Sequence, residues 1–411
     1  MRKIKTIMIV TSCFVLSVFV NLQNFSYAED RFTFSSDSEL SEFKMSQAQE
    51  FDNYKEKVNN EFKVYKNILK EEFDNYKKEI TEFWQDGQMS GAKTWIEYSK
   101  DYKTRKIVDF EKGTITIEVV TDVNTDPAKI DETITESLTD LASETNRTAF
   151  QRDSFAQNVE ERLVASIEDV KVSHSIAEAP VASDMITGEV SPDKDKIESS
   201  VKEVKKNGEM TTKPAKLENQ KIVSFQVQIP NARLQRKALQ YVDNVEKYSL
   251  ARKLEPSLVF AIMQTESSFN PMARSYVPAY GLMQIVPSSA GKDAANALFG
   301  EYRLLAPSFL YDCENNIKVG TAYISVVMYK YLRKIKNIES RTYCAIAAYN
   351  TGTTNVARAF ITKARMSEAV HVINKMTPGE VYITLIEKLP HAETRSYLEK
   401  VKTRMQHYVK R

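Results

Sequence analysis

The stretch PSLVFAIMQTESSFNPMARSYVPAYGLMQ, residues 256–284, decides how the rest of the chain is interpreted. It begins as a helix, because Pro256 suits the first helical turn and apolar residues recur at three- and four-residue steps: Val259, Ile262 and Met263. The helix should end before Pro271, which cannot continue the backbone hydrogen-bond ladder. Glu266 is the next position on the apolar stripe. Because an unpaired buried carboxylate is costly, Glu266 in this last turn is a candidate functional residue.

Three motifs follow one another in the C-terminal half: ESSFNP at 266–271, GLMQ at 281–284 and AYNTG at 348–352. In order and spacing they resemble the motifs of soluble-type lytic transglycosylases, which are relatives of goose lysozyme. The upstream stretch DYKTRKIVDFEKGTITIE, residues 101–118, is similar to the C-type membrane-bound members of that group. The resemblance is dense from about residue 254 to 400 and implies an all-helical, lysozyme-like catalytic domain.

The chain has 411 residues, which is too long for a single typical core. We expect an α+β protein overall, in which a mainly α-helical lysozyme-like catalytic domain follows a long helix with an 11-residue repeat and a small α+β domain. The expected limits are a signal peptide at 1–28, the helical repeat region at 29–100, the α+β domain at 101–230 with a flexible segment at 175–218, and the catalytic domain at 231–411.

Residues 1–28 have the parts of an export signal: a basic start, a largely apolar run over residues 6–20, and small residues at Ser26 and Ala28 before the cleavage point. We expect a periplasmic protein that begins at Glu29. Two alternatives stay open. The resemblance would lead one to expect a lipoprotein signal ending at Cys13, which would attach the chain to the outer membrane; the segment could also stay uncleaved as an anchor.

The region 39–85 carries a repeat of 11 residues, which completes about three helical turns. Its apolar positions are Phe51, Phe62 and Phe73, then Tyr54, Tyr65 and Tyr76, then Val58, Leu69 and Ile80, with a looser fit at Leu40, Phe43 and Trp84. This aromatic row predicts contacts with sugars or a partner helix, or, alternatively, packing on the chain's own helices or self-association.

Alternating apolar residues over 106–120, with a central turn, predict a β-hairpin, and the run IVSFQVQI at 222–229 predicts another strand. We expect one small sheet with a helix at about 130–170 on it. The segment 175–218 is rich in Lys, Glu, Ser, Asp and Pro, has little to bury, and is expected to be loop or partly disordered.

Helical patterns continue from residue 232 onward. We expect a leading helix at 234–253, a helix capped by Asn315 or Asn316, a helix at 341–350 that ends at Gly352, and further helices beyond residue 370.

Cleavage of a β-1,4 glycosidic bond requires a proton for the departing oxygen and stabilisation of an oxocarbenium-like centre at C1. The family resemblance implies a single catalytic carboxylate, Glu266, acting on peptidoglycan glycan strands. Glu266 would donate its proton to the leaving oxygen and then accept the proton of the muramic acid 6-hydroxyl, which closes a 1,6-anhydro ring without consuming water. Such an acid has to be protonated near neutral pH, which favours an apolar setting.

The resemblance also assigns substrate contacts to the loop after the helix. Ser275 would contact the muramic acid side, and Gln284, with Met283 beside it, would line the saccharide cleft. The chain departs from the family pattern at 276–280, YVPAY, where bulky residues enter the loop. This departure concerns the fit of the saccharide more than the chemistry.

Two later segments complete the predicted site. Tyr349 and Asn350 would flank C1 and position the sugar, Tyr397 would orient Glu266 by a hydrogen bond, and Glu393 would contribute cleft polarity. Taken singly, these residues and those of the loop equally fit packing or satisfied polar positions. Only their occurrence together, in the order of the family motifs, favours a site.

Other functions remain open at this stage. The chain has 57 basic and 55 acidic residues, a balance that gives no reason to expect a nucleic-acid partner. The four histidines show no ligand spacing, so we predict neither a metal nor another cofactor. Cys313 and Cys344 could form a disulfide or stay buried thiols. A hydrolytic goose-type lysozyme and a non-catalytic peptidoglycan-binding scaffold are the alternative functions.

Overall fold

A computed structural model describes residues 37–276 and 278–408. The predicted signal peptide, Cys13 and the repeat positions Leu40, Phe43, Phe51 and Tyr54 lie outside the described residues or side chains. The chain divides into two compact units. The first contains residues 37–68 and 326–399, and the second contains residues 69–325 and 400–408. The domain limits expected from sequence stay predictions.

An antiparallel sheet of five strands lies in the second unit, in the order β1-β2-β3-β6-β5. Its strands are β1 Thr94–Tyr98, β2 Thr104–Asp109, β3 Thr114–Asp122, β5 Glu209–Pro214 and β6 Gln220–Gln228. Alternation along β3 buries Ile115, Ile117 and Val119 on one face and leaves Glu118 and Val120 on the other. The hairpin of β2 and β3 and the β6 strand confirm the sequence predictions, whereas β1 and β5 were not predicted.

The long helix α1, Asp37–Phe83, confirms the helical interpretation of the 11-residue repeat. Near its end, Ile80 and the following Trp84 are fully buried in a cluster with the sheet residues Val120 and Ile222. Arg105 lies 4.2 Å above the Trp84 ring and makes an ion pair with Asp86 at 2.7 Å. The last part of the repeat therefore packs on the chain's own sheet. Contacts of the rest of the stripe with sugars, a partner helix or a second copy of the chain stay predictions.

Three helices replace the single helix expected at about 130–170: α2 Pro127–Ser143, α3 Asn146–Arg152 and α4 Ser154–Ser166. Helix α2 packs against β3. Side-chain caps separate the three helices. Thr145 and Thr148 form a capping box at the start of α3, and Asp153 caps α4 by accepting a hydrogen bond from Ala156 N at 3.0 Å.

The expectation that residues 175–218 form a loop is wrong, whereas their flexibility stays a prediction. After the short strand β4, Val170–Lys171, this segment contains helices α5 Ser183–Thr187 and α6 Lys194–Lys206 and the edge strand β5. Its polar composition hid a narrow buried stripe on α6, which consists of Ser200, Val201 and Val204, while most of the other residues of the helix are exposed. An edge strand made wholly of exposed residues has no hydrophobic alternation to reveal it.

The region from residue 231 onward begins with three short helical segments in place of the single helix expected at 234–253. Its elements in the second unit are α7 Asn231–Arg236, a 3₁₀ turn at Lys237–Tyr241, α8 Val242–Ala251, α9 Pro256–Ser267, α10 Lys292–Phe299, β7 Leu304–Leu305, α11 Pro307–Tyr311 and α12 Cys313–Val326, whose last residue belongs to the first unit. Strand β7 pairs in parallel with β4 of the upstream domain. The cap of α12 is Asp312, which accepts from Asn315 N at 2.8 Å, so the assignment of Asn315 or Asn316 as the cap is wrong.

Helices also make up the C-terminal part of the first unit. They are α13 Ile338–Thr351, α14 Thr353–Phe360, α15 Met366–Ile373, α16 Pro378–Lys388 and α17 Ala392–His407, whose last residues belong to the second unit. Gly352 ends α13 with a φ of 80°, as the sequence predicts. The α+β class and the mainly α-helical C-terminal part are thereby confirmed.

Cys313 in the second unit and Cys344 in the first are both buried, free thiols. Burial first, and then the charge of Asp312, raise the pKa of Cys313 to about 12. No helix in the described part of the chain is long and apolar enough to cross a membrane.

Candidate active site

The predicted site residues fall equally into the two units. The second unit holds Glu266, Ser275, Met283 and Gln284; the first holds Tyr349, Asn350, Glu393 and Tyr397.

Helix α9 places Glu266 in its last turn, as the sequence predicts. Pro256 starts the helix, and Val259, Ile262 and Met263 are fully buried, so the apolar stripe anchors it in the core. Glu266 itself is half-buried between the buried residues Thr265 and Ser267. The carboxylate therefore stands where the core meets the surface, at the end of a rigidly packed helix.

The chain leaves α9 through an uncommon backbone conformation. Ser268 and Phe269 have φ values of 51° and 63°, which lie in the left-handed region that non-glycine residues rarely adopt. Gln284, at the end of the second motif, has a φ of 47°. Each such residue costs about 1–3 kcal/mol and persists only where the surrounding structure enforces it. Two of these residues follow Glu266 directly, and the third ends the second motif, so the surrounding structure enforces the backbone at both motifs.

Hydrogen bonds join the end of α9 to the second motif. Ser267 Oγ donates to Leu282 O at 2.7 Å, and Gly281 N donates to Ala273 O at 2.8 Å. Gly281 has a φ of 71°, and a Cβ added there would lie 2.5 Å from Leu310 O. Only glycine fits this turn. Because of the two hydrogen bonds, the end of α9, the loop that carries Ser275 and the 281–284 turn form one hydrogen-bonded unit.

Ser275 and Gln284 are both half-exposed on this hydrogen-bonded unit, where a ligand could reach them. Ser275 Oγ accepts from Ala279 N at 3.2 Å, and Gln284 Nε2 donates to Gly281 O at 3.1 Å. Both side chains are thereby oriented by the loop backbone.

Met283 does not have the predicted position. Its side chain is fully buried and packs so closely on α12 that a Cβ added to Gly320 would lie 2.2 Å from the Met283 sulfur. The expectation that Met283 lines the cleft is therefore corrected: it supports the 281–284 turn from behind. A methionine beside a glycine-containing motif fits a core and a cleft equally well, so the sequence could not decide.

Asn316 of α12 is a supporting residue that sequence reasoning missed. It is fully buried, accepts from Met283 N at 2.8 Å, and donates to Tyr280 O at 2.9 Å and Leu310 O at 2.8 Å. It therefore binds one backbone group on each side of Gly281, Tyr280 O and Met283 N, and a third on α11, Leu310 O. The sequence shows only two adjacent asparagines near a helix start, which favoured a cap assignment.

In the first unit, Tyr349 and Asn350 are half-buried at the end of α13. Asn350 Oδ1 accepts from the hydroxyl of Thr394 at 2.7 Å, so the N–H groups of its amide point away from Thr394. Thr394 is buried, adjacent to exposed Glu393, and Tyr397 is buried one turn further along α17. The structure thus joins Asn350 to the 393–397 segment through Thr394, a residue that the sequence did not single out.

Within residues 37–276 and 278–408, no group of three His, Cys, Asp or Glu side chains is placed to hold a metal ion.

Comparisons with known proteins find matches for both the upstream and the C-terminal part of the chain. A family model of the transglycosylase SLT domain matches residues 243–371, and one of the N-terminal domain of membrane-bound lytic murein transglycosylase C matches residues 55–170. A membrane-bound lytic murein transglycosylase C from Photorhabdus laumondii is 33% identical over 78% of this chain and 84% of the relative. Its counterpart from Yersinia pestis is 34% identical over 78% of this chain and 83% of the relative.

Two solved structures are similar over part of their length. The lytic transglycosylase Slt from Pseudomonas aeruginosa is 28% identical over 42% of this chain and 24% of its own, with a TM-score of 0.33. The 70 kDa soluble lytic transglycosylase from Escherichia coli is 26% identical over 41% of this chain and 24% of its own, with a TM-score of 0.32. The chain spans about a quarter of the length of these solved proteins.

Proposed function

Because this chain belongs to the membrane-bound lytic murein transglycosylase C family, we propose that it cleaves the β-1,4 bond between MurNAc and GlcNAc in peptidoglycan and leaves 1,6-anhydromuramic acid ends. The observation that carries the proposal is Glu266, a half-buried carboxylate at the end of a buried helix, bordered by strained residues and by the 281–284 turn. The relatives share the family; the course of the reaction in this chain is our proposal.

In the proposed reaction Glu266 donates its proton to the departing glycosidic oxygen while the C1–O bond breaks. The carboxylate then takes the proton of the muramic acid 6-hydroxyl as O6 bonds to C1, which regenerates the acid and closes the anhydro ring. No water, cofactor or second carboxylate takes part. Ser275 and Gln284, held by the loop backbone, would bind the sugars beside Glu266.

We assign supporting roles in the same reaction to the predicted residues of the first unit. Asn350, whose amide is oriented by Thr394, would donate hydrogen bonds to the sugar, and Tyr349 would contact it. Tyr397 and Glu393 keep the roles that the family resemblance implies. These assignments predict that Asn350→Ala lowers kcat/KM for glycan cleavage; unchanged kinetics would remove Asn350 from the site.

The decisive experiment is mass spectrometry of the products that the purified protein releases from peptidoglycan sacculi. We expect anhydromuropeptides from the wild type and a loss of about 10²- to 10⁴-fold in Glu266→Gln, the usual contribution of a general acid. Glu255→Gln is the matched control, since Glu255 is an exposed residue at the start of the same helix and its side chain makes no capping hydrogen bond. It should retain activity within about twofold, because exposed positions away from a site contribute little.

The other outcomes discriminate among functions. Products with reducing ends would replace the transglycosylase by a hydrolase that uses Glu266. Wild-type turnover by Glu266→Gln would remove Glu266 from the mechanism. Absence of products from the wild type would favour a non-catalytic scaffold.

We propose further that the protein acts in the cell envelope, where peptidoglycan lies, after export through residues 1–28. The names of the relatives describe them as membrane-bound. Mass spectrometry of the N-terminus separates the two export routes: a chain beginning at Glu29 would indicate simple cleavage, whereas an acylated Cys13 would indicate a lipoprotein.

A further inference from the structure

A buried ion pair connects the upstream α+β domain to the loop that carries Ser275. The guanidinium of Arg274, which is 6% exposed, lies 3.0 Å from Asp153 Oδ2 and 3.4 Å from Asp153 Oδ1. The same group lies 4.1 Å from the ring centroid of Phe155. Asp153 and Phe155 stand at the start of α4, within the segment that matches the N-terminal domain of the family. The upstream domain therefore supplies both the counter-charge and the aromatic surface for Arg274.

Other contacts fix the same loop against upstream residues. Arg274 N donates to Gly91 O at 3.3 Å, and Asn270 Nδ2 donates to Ala92 O, also at 3.3 Å, just before strand β1. The ring of Tyr276, which is 79% exposed, meets the ring of Phe73 on α1 edge-on, with centroids 5.4 Å apart. Contacts on either side of Ser275 thus come from outside the helical catalytic region.

The geometry of the loop transmits the position of Arg274 directly to Ser275. Arg274 forms an antiparallel bridge with Tyr280, while Ser275 N donates to Ala279 O at 3.1 Å and Ser275 Oγ accepts from Ala279 N. Consecutive Cα atoms are about 3.8 Å apart, so a displaced Arg274 necessarily displaces Ser275. Burial acts to lower the pKa of Arg274, but the charge of Asp153 and then the neighbouring tyrosines outweigh it, so the pKa is raised and the guanidinium stays charged.

We propose that Asp153 and Arg274 are positioning residues for substrate binding, through which the upstream domain holds Ser275 in its sugar-binding position. This inference rests on the proposed glycan-binding role of Ser275. It gives the upstream domain a function in the active site.

A purely structural ion pair in the same unit provides a matched control. Lys237 Nζ lies 3.1 Å from Asp184 Oδ1, both side chains are buried, and Lys237 also lies 4.7 Å from the Phe110 ring centroid. This pair has the same combination of carboxylate, cation and aromatic face as the Asp153 pair. The hydrogen bonds of Lys237 Nζ go to Val181 O, at 3.2 Å, and to Asp184 Oδ1, which lie far from the 270–284 segment in sequence. Its loss should cost stability without moving Ser275.

The informative variant is Asp153→Asn. Asparagine caps a helix about as well as aspartate, so the hydrogen bond from Ala156 N is kept while the charge opposite Arg274 is removed. Asp184→Asn makes the same change in the control pair. We would measure kcat and KM for cleavage of soluble glycan strands, the affinity for those strands by calorimetry, and Tm for each variant.

We expect both variants to lower Tm, and only Asp153→Asn to raise KM and weaken glycan binding, by about tenfold or more, as misplaced binding groups do. In a Ser275→Ala background, Asp153→Asn should have little further effect, since residues that act through one another are not additive. Asp153→Glu, which keeps the charge, should recover part of the affinity, and it carries the test if Asp153→Asn fails to fold.

Equal glycan affinity of Asp153→Asn and Asp184→Asn would overturn the proposal, as would full additivity with Ser275→Ala. Failure of the proposed function can be distinguished from failure of the positioning role. A wild-type protein that binds glycan strands without cleaving them is not a transglycosylase, but weaker glycan binding by Asp153→Asn would still support the positioning role. A wild type that neither binds nor cleaves glycan would overturn both.

Discussion

Replacing Asn316 by alanine should damage the candidate site through its supporting hydrogen bonds. The fully buried amide accepts from Met283 N and donates to the carbonyls of Tyr280 and Leu310, at 2.8–2.9 Å. Alanine leaves Met283 N and Leu310 O without this partner, whereas Tyr280 O keeps the hydrogen bond from Ile285 N at 3.1 Å. A buried polar group deprived of its hydrogen bond costs about 1–3 kcal/mol, and neighbouring losses are not fully additive, so we expect a destabilisation of about 2–5 kcal/mol.

Asn146→Ala is the control for that substitution. Asn146 is also fully buried in the second unit; it accepts from Ala179 N at 3.0 Å and donates to Tyr311 O at 2.7 Å. Both variants should unfold at lower urea concentration. Because only Asn316 holds the 281–284 turn, only Asn316→Ala should lower kcat/KM for glycan cleavage, by about 10- to 100-fold, under conditions where both are folded.

Hydrogen exchange adds a local reporter, since the Met283 amide should exchange faster in Asn316→Ala and unchanged in Asn146→Ala. A destabilisation by Asn316→Ala below about 0.5 kcal/mol, the range of ordinary surface changes, would show that the amide is not the partner of these groups. Equal loss of activity in both variants would show that the turn has no special part in substrate binding.

Two further predictions use the glycines and a buried thiol. Gly281→Ala should destabilise the protein more than Gly300→Ala does, and it should also lower glycan cleavage. Both glycines have positive φ, 71° and 78°, but an added Cβ clashes only at Gly281. Equal urea midpoints of the two variants would contradict this prediction. Because burial raises the pKa of Cys313 to about 12 from an ordinary value near 9, the unfolded chain loses that proton first, and stability should fall as pH rises from about 9 to 12. Iodoacetamide should accordingly label Cys313 slowly in the native protein and quickly in urea at pH 8.5, and rapid native labelling would refute the buried-thiol assignment.

Local sequence patterns were sufficient for much of the architecture. The 11-residue repeat, the alternation at 106–120 and the stripe on α9 each express a periodicity that one helix or strand imposes on its own residues, so they could be recognised without the fold. The same holds for the ends of helices, such as Pro256 and Gly352, because proline and glycine restrict or permit backbone angles locally. The position of Glu266 in the last turn of its helix followed from these rules.

Other features depended on contacts between residues far apart in the chain. The edge strand β5 has no alternation of its own and is held by pairing with β6, so its residues read as a polar loop. Whether Met283 faced a cleft or a core was decided by Gly320, 37 positions later in the chain, and the cap of α12 by Asp312 in place of its asparagines. The sequence around Arg274 does not predict its pairing with Asp153, because an ion pair between distant segments imposes no periodicity on the residues of either segment.

By itself, then, the amino-acid sequence of this protein determined the family motifs, the catalytic candidate Glu266 and most helices, since each of these is written in residues close together along the chain. Tertiary structure alone decided the partners of the candidate residues, each within its own unit: Asn316 beside the 281–284 turn and Asp153 opposite Arg274 in the second unit, and Thr394 beside Asn350 in the first. The physical reason is that buried polar groups must find partners wherever folding brings them, and those partners are chosen by proximity in space.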